Sequence, residues 1–134
     1  MIGLDTNVVV RYLAQDDRAQ AAAATRLLEH DLTAQNPGYL SLVALVEVVW
    51  VMVAAYGADR QTVATAVEGL LSAPHVRVQE AESVWLALLD FREPGSKADF
   101  SDALILRLGS RAGCSSTVTF DRRAAKHAGF ELLE

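Results

Sequence analysis

The chain alternates short apolar runs with longer stretches in which apolar residues recur at helical spacing. Met1 to Leu4 reads as a strand, followed by helices near Asn7 to Ala14 and Arg18 to His30. Pro37-Gly38 interrupts the pattern, and "YLS" leads as a short strand into an apolar helix around Glu47. Gly57 closes that helix and Asp59 caps the next, "RQTVATAVEGLLSA". Beyond Pro74, "VRV" alternates like a strand and "EAESVWLALLDF" returns to helical spacing. After the Pro94-Gly95-Ser96 loop, "KADFSDALILRLGSRAG" predicts an amphipathic helix, "STVTF" a strand, "DRRAAKHAG" a short helix and "FELL" an edge strand. Parallel strands need crossover connections, so strands alternating with helices predict an α/β fold. The expected architecture is a three-layer α/β/α sandwich around a central, mostly parallel sheet.

At 134 residues the chain suits a single domain, 1–134, without repeats or linkers. Hydrophobic residues make up 51% and charged residues 22%, which excludes disorder and leaves apolar surface for a partner. The single Cys114 forms no internal disulfide and lacks metal-ligand spacing, as expected of a reducing interior. No basic region precedes the first apolar stretch, so the start does not read as a secretory signal, and a cytoplasmic protein is expected. The run from Leu40 to Ala55 carries Glu47 and is shorter than the roughly 20 apolar residues a membrane span needs, so it reads as a buried core helix. A net charge of -5 argues against gripping nucleic acid with the whole surface, yet Arg107, Arg111, Arg122, Arg123 and Lys126 crowd the last third as a local basic rim.

The acids carry the candidate chemistry. In an open parallel sheet, ligands bind outside the carboxyl ends of the strands, and Asp5 and Asp121 both fall there. Asp5 serves equally well on paper as a helix cap. Glu47 lies within "LVALVEVVWVMV", where an unpaired ionised carboxylate would cost several kcal/mol if buried. It must be neutral, pair with a cation such as Arg11, or lie at the helix surface facing a polar cleft. Asp99 and Asp102 share one helix face. Asp99 is explained by the helix dipole, Asp102 less well, because apolar residues flank it. Converging carboxylates repel by roughly 3 kcal/mol per pair at about 5 Å and an effective dielectric near 20. A hard divalent cation, Mg²⁺ or Mn²⁺, gives such a cluster a reason to exist. His30, His75 and His127 show no paired ligand spacing, and a histidine-driven, metal-free mechanism is disfavoured.

Four stretches, "GLDTNVVVRYL", the Glu of "SLVALVEVVWVM", "ADFSDALI" and "TVTFDRRAAKHAGF", together resemble the PIN domain, and in particular the VapC ribonuclease toxins of type II toxin–antitoxin pairs. The resemblance runs from Ile2 to Phe130. It implies a single PIN-like nuclease domain in which Asp5, Glu47, Asp102 and Asp121 form the catalytic acidic quartet. Asp5, Asp99, Asp102 and Asp121 would surround the metal, while Thr6, Asn7, Ser41 and Thr119 shape the loops or touch substrate. It further implies cleavage of RNA to 5′-phosphate and 3′-hydroxyl ends, neutralisation by a cognate VapB-type antitoxin, and a homodimer for which Trp50, Trp85 and Tyr56 offer apolar surface. A catalytically silent PIN-like module that only docks RNA or protein is the alternative. A HAD-like phosphatase needs a second Asp two residues after the first, where this chain has Asn7.

Overall fold

The computed structural model describes residues 1–134, which fall into two compact units, Met1–Ala81 and Glu82–Glu134. In the first, β1 (Ile2–Gly3), β2 (Gly38–Leu40) and β3 (Val76–Val78) form a parallel sheet in the order β1-β2-β3. Ile2 pairs with Gly38, and Gly38 with Val76. Helices α1 (Thr6–Ala14) and α2 (Arg18–Arg26) connect β1 to β2. Helices α3 (Leu42–Tyr56) and α4 (Arg60–Ser72) connect β2 to β3. Gly38 sits in the middle strand because a Cβ there would lie 2.9 Å from Leu32 Cδ1 and 3.0 Å from Leu4 Cδ1.

The expected helices and parallel strands are present, with differences that have local causes. The predicted helix from Arg18 to His30 relaxes after Arg26 into a π-helical turn, Leu27–Asp31, so His30 lies within a π turn and not near the end of an α-helix. Helix α3 stops where Gly57 takes φ 65°, a left-handed conformation that glycine adopts without steric cost. Asp59 accepts the Thr62 N–H at 2.8 Å and starts α4, as its spacing predicts. The expectation of a buried helix around Glu47 holds for one face only. Ala44, Leu45, Val48, Val49 and Met52 are buried, whereas Val43 is 71% and Trp50 69% exposed. An all-apolar sequence reads as buried all round, but α3 packs along a single stripe.

The second unit holds α5 (Ala81–Arg92, entered from the last residue of the first unit), α6 (Phe100–Arg111), β4 (Thr117–Thr119) and β5 (Phe130–Leu132). The two strands pair in parallel, Thr117 with Phe130 and Thr119 with Leu132. Val84, Ala87, Leu88, Ala103 and Leu104 are buried, and the rings of Phe91 and Phe100 meet edge to face with centroids 5.9 Å apart. The short helix expected over "DRRAAKHAG" is reduced to a 3₁₀ turn, Ala124–Lys126. The preceding residues are held in a side-chain-closed turn by Asp121, which leaves too few for an α-helix. No helix of the chain is long and apolar enough to cross a membrane.

Candidate functional site

Asp5 is the residue before α1, in extended conformation (φ -80°, ψ 155°), and its backbone carbonyl accepts the Val8 and Val9 N–H groups. Its carboxylate makes no capping bond. The cap reading of Asp5 is therefore satisfied by the backbone alone, and the charged group stands exposed beyond the end of β1. Thr6 is buried, 8% exposed, and its hydroxyl donates to Glu47 Oε2 at 3.0 Å. Asn7 follows, exposed, on the first turn of α1.

Glu47 lies on the open stripe of α3 with Val43 and Trp50, three and four residues away, so it is exposed despite its apolar neighbours in sequence. Arg11 is not its partner. That guanidinium is held by Asp16 at 3.2 Å and by Gln20 at 2.8 Å. Ser41 is the N-cap of α3 and accepts the Ala44 N–H at 3.2 Å, which makes its role structural in the first instance.

In the second unit Asp99 precedes α6 and Asp102 sits in its first turn, where one oxygen, Oδ2, accepts the Asp99 N–H at 3.3 Å. Asp102 thus has a local structural part as well, which the sequence assigned to Asp99 alone. Burial, with the charges of Asp99 and Asp121 beside it, raises the Asp102 pKa above the ordinary carboxylate value, against the lowering effect of the Asp99 N–H. Asp121 follows β4. The Thr119 hydroxyl accepts its N–H at 3.0 Å, and its own Oδ1 accepts the N–H groups of Arg123 at 2.8 Å and Ala124 at 3.3 Å.

The structure therefore brings Thr6 to Glu47 in the first unit, and Asp99, Asp102 and Asp121 within mutual electrostatic reach in the second. Glu47, Asp102 and Asp121 share a pattern: one carboxylate oxygen is anchored by a donor of the chain, and the other accepts no such bond. The PIN domain family model matches residues 2–130 of the chain.

The chain belongs to the PIN domain family. PIN domains are generally metal-dependent nucleases. No curated protein matches the chain. As a PIN domain, it offers carboxylate oxygens and no sulfur or imidazole at these positions, the donor set of a hard cation. No group of three or more His, Cys, Asp or Glu side chains is gathered closely enough to ligate an ion by itself. Mg²⁺ asks for less: one or two carboxylates, with water and substrate phosphate completing its octahedron. Asp99, Asp102 and Asp121 fit it on that basis, since their charges face one another and not a cation. A cavity of about 970 Å³ in the first unit, lined among others by Tyr12, Leu28, Met52, Thr62 and Gly69, includes none of the candidate acids. A polymer substrate calls for accessible groups, and Asp5 and Glu47 of the first unit and Asp99 and Asp121 of the second are each exposed.

Two arrangements of the PIN domain escaped the sequence reading. Arg107 clamps Asp90 with two bonds of 2.6 and 2.7 Å, pinning α6 to α5, so it belongs to the scaffold and not to a free basic rim. Tyr56 donates to Asp16 at 2.6 Å beside Arg11, a network of residues 40 apart that no local pattern announces. The spacing of Asp90 and Arg107 on successive helices was the one available signal for the first.

Proposed function

We propose that this PIN domain is a metal-dependent endoribonuclease of the VapC type, a toxin neutralised by a cognate VapB-type antitoxin. The observation that carries the reading is the shared anchoring of Glu47, Asp102 and Asp121, each fixed through one oxygen and open at the other. Donors outside the ligand set that orient carboxylates are the usual second layer of a metal or water-activating site. Bound Mg²⁺ or Mn²⁺ would polarise a phosphoryl oxygen and lower the pKa of a water. Asp99, Asp102 and Asp121 of the second unit are the residues that would hold it.

The chain's own groups then divide the remaining tasks. Thr6 holds Glu47 Oε2, which leaves Oε1 to orient an attacking water. Asp121, fixed by the Arg123 and Ala124 amides, keeps Oδ2 open beside Asp102. Asn7 lies on the helix turn that follows Asp5, Ser41 caps the helix that carries Glu47, and Thr119 holds the turn that carries Asp121. The exposed Trp50 and Tyr56 of α3 and Trp85 of α5 support a homodimer, because large apolar side chains at such exposure favour association.

Incubating the purified chain with single-stranded RNA tests the proposal. Cleavage in Mg²⁺ or Mn²⁺, its loss in EDTA, and 5′-phosphate ends are expected, and induction of the chain should arrest growth unless the neighbouring antitoxin is co-expressed. RNA binding without cleavage in any divalent metal would leave a silent docking module in its place.

A further inference from the structure

We infer that Phe120 is a positioning residue that stacks on a base of the nucleic acid substrate, with Arg122 and Arg123 holding the flanking phosphates; the inference rests on the nuclease reading above. Phe91 and Phe100 are core residues, 6% and 2% exposed, whereas Phe120 is 77% exposed. Its immediate neighbour is Asp121, and the turn behind it is rigidly closed: Asp121 Oδ1 accepts two amides, the Thr119 hydroxyl accepts a third, and Ala124 is 1% exposed beneath. The ring is thus presented in a defined place next to a candidate catalytic acid.

Single exposed apolar side chains are ordinary. What distinguishes Phe120 is its company. Arg122, Arg123 and Lys126 are exposed and make no ion pair, in a chain whose net charge is -5. An uncovered aromatic ring among unneutralised cations suits a single-stranded nucleic acid, whose bases offer π-faces and whose phosphates need counter-charge. Another apolar exposure, Val43, Trp50 and Val53 on α3, carries Glu47 as the only charge of its helix and complements no phosphate.

The test is fluorescence anisotropy of a labelled single-stranded oligoribonucleotide in EDTA, beside cleavage kinetics in Mn²⁺. Phe120→Ala and Phe120→Leu should both weaken binding by about tenfold and raise KM with little change in kcat, while Phe120→Trp stays near the parent. Arg122→Ala or Arg123→Ala should lower the slope of log Kd against log salt by about 0.7 for each phosphate lost, which Phe120→Ala should not. Melting curves equal to the parent's are expected for all five, since the side chains are exposed. Normal cleavage and unchanged affinity in Phe120→Ala overturn this inference and leave the nuclease reading standing. Failure of the parent to bind or cleave RNA overturns both. A change of oligomeric state in Phe120→Ala with RNA affinity intact assigns the ring to contact with a second copy and also overturns it.

Discussion

The hydroxyl of Thr6 donates to Glu47 Oε2 at 3.0 Å, a side-chain bond across 41 residues that ties the first turn of α1 to the middle of α3. Thr6 is nearly buried and Glu47 is exposed, so the bond fixes an acid at the surface from beneath. Such a bond contributes about 1 kcal/mol to stability. Its larger consequence is orientation, because an exposed Glu otherwise samples several rotamers.

Thr6→Val keeps the shape and removes the donor. Thermal melts should show a loss of about 1 kcal/mol, and RNA cleavage should fall by about tenfold or more through a misdirected Glu47. Glu47→Gln keeps an oxygen that can accept from Thr6, so its melt should match the parent while its cleavage is abolished. A Thr6→Val variant as active as the parent would place Glu47 outside the chemistry.

Asp5→Asn should leave the fold unchanged, because the helix start uses the Asp5 carbonyl and not its carboxylate. An amide keeps the volume and loses the charge that a hard cation needs. The expected result is a parent-like melt with no metal-dependent cleavage, read by circular dichroism and gel assay on the same preparation. A destabilised variant would restore the capping role that the geometry denies.

Local chemistry made much of this legible and long-range contact made the rest illegible. Asp59 and Gly57 announce the α3–α4 junction because each acts on its own neighbours. The parallel strands follow from alternation of period, and the four stretches that resemble a PIN domain lie within the residues that the family model matches. Glu47 could be ranked but not placed, since only the packing stripe of α3 decides which side of an all-apolar helix is open. Thr6 gave no sign of its partner 41 residues on. Arg107 looked like a free cation until Asp90 was found against it. Phe120 looked like the end of a strand that stops one residue earlier.

Asp16 offers a pH-dependent test away from the candidate acids. The Tyr56 hydroxyl, donating at 2.6 Å, is the main reason its carboxyl titrates below the ordinary aspartate value of 3.8, and Arg11 adds to the shift. A depressed folded pKa contributes stability above the unfolded value, and that contribution is lost as pH falls through the folded one. Tyr56→Phe removes the main cause. The parent should therefore melt higher than Tyr56→Phe at pH 6, and the difference should shrink as pH falls below about 3.8. A difference that stays constant down to pH 2 would mean that the hydroxyl acts through packing and not through the charged Asp16.

The division of labour between Asp99 and Asp102 is the remaining question about the acids, and the geometry sharpens it. Asp102 lies under burial and beside two like charges, all of which disfavour its ionised form, and only the Asp99 N–H offsets them. Asp102→Asn keeps an oxygen to accept that N–H and removes a repelling charge. In EDTA near neutral pH, the variant should melt at or above the parent, the trade expected where a site is strained for function. Metal binds the folded form and stabilises it in proportion to occupancy, so the parent's melting temperature should rise with Mn²⁺ and that of Asp102→Asn should rise less. Cleavage should fall further in Asp102→Asn than in Asp99→Asn, measured side by side at saturating Mn²⁺. If Asp102→Asn instead melted well below the parent in EDTA, its bond to the Asp99 amide would be the stronger reason for an acid at this position. Retained cleavage in the same variant would then move the metal-binding role to Asp99.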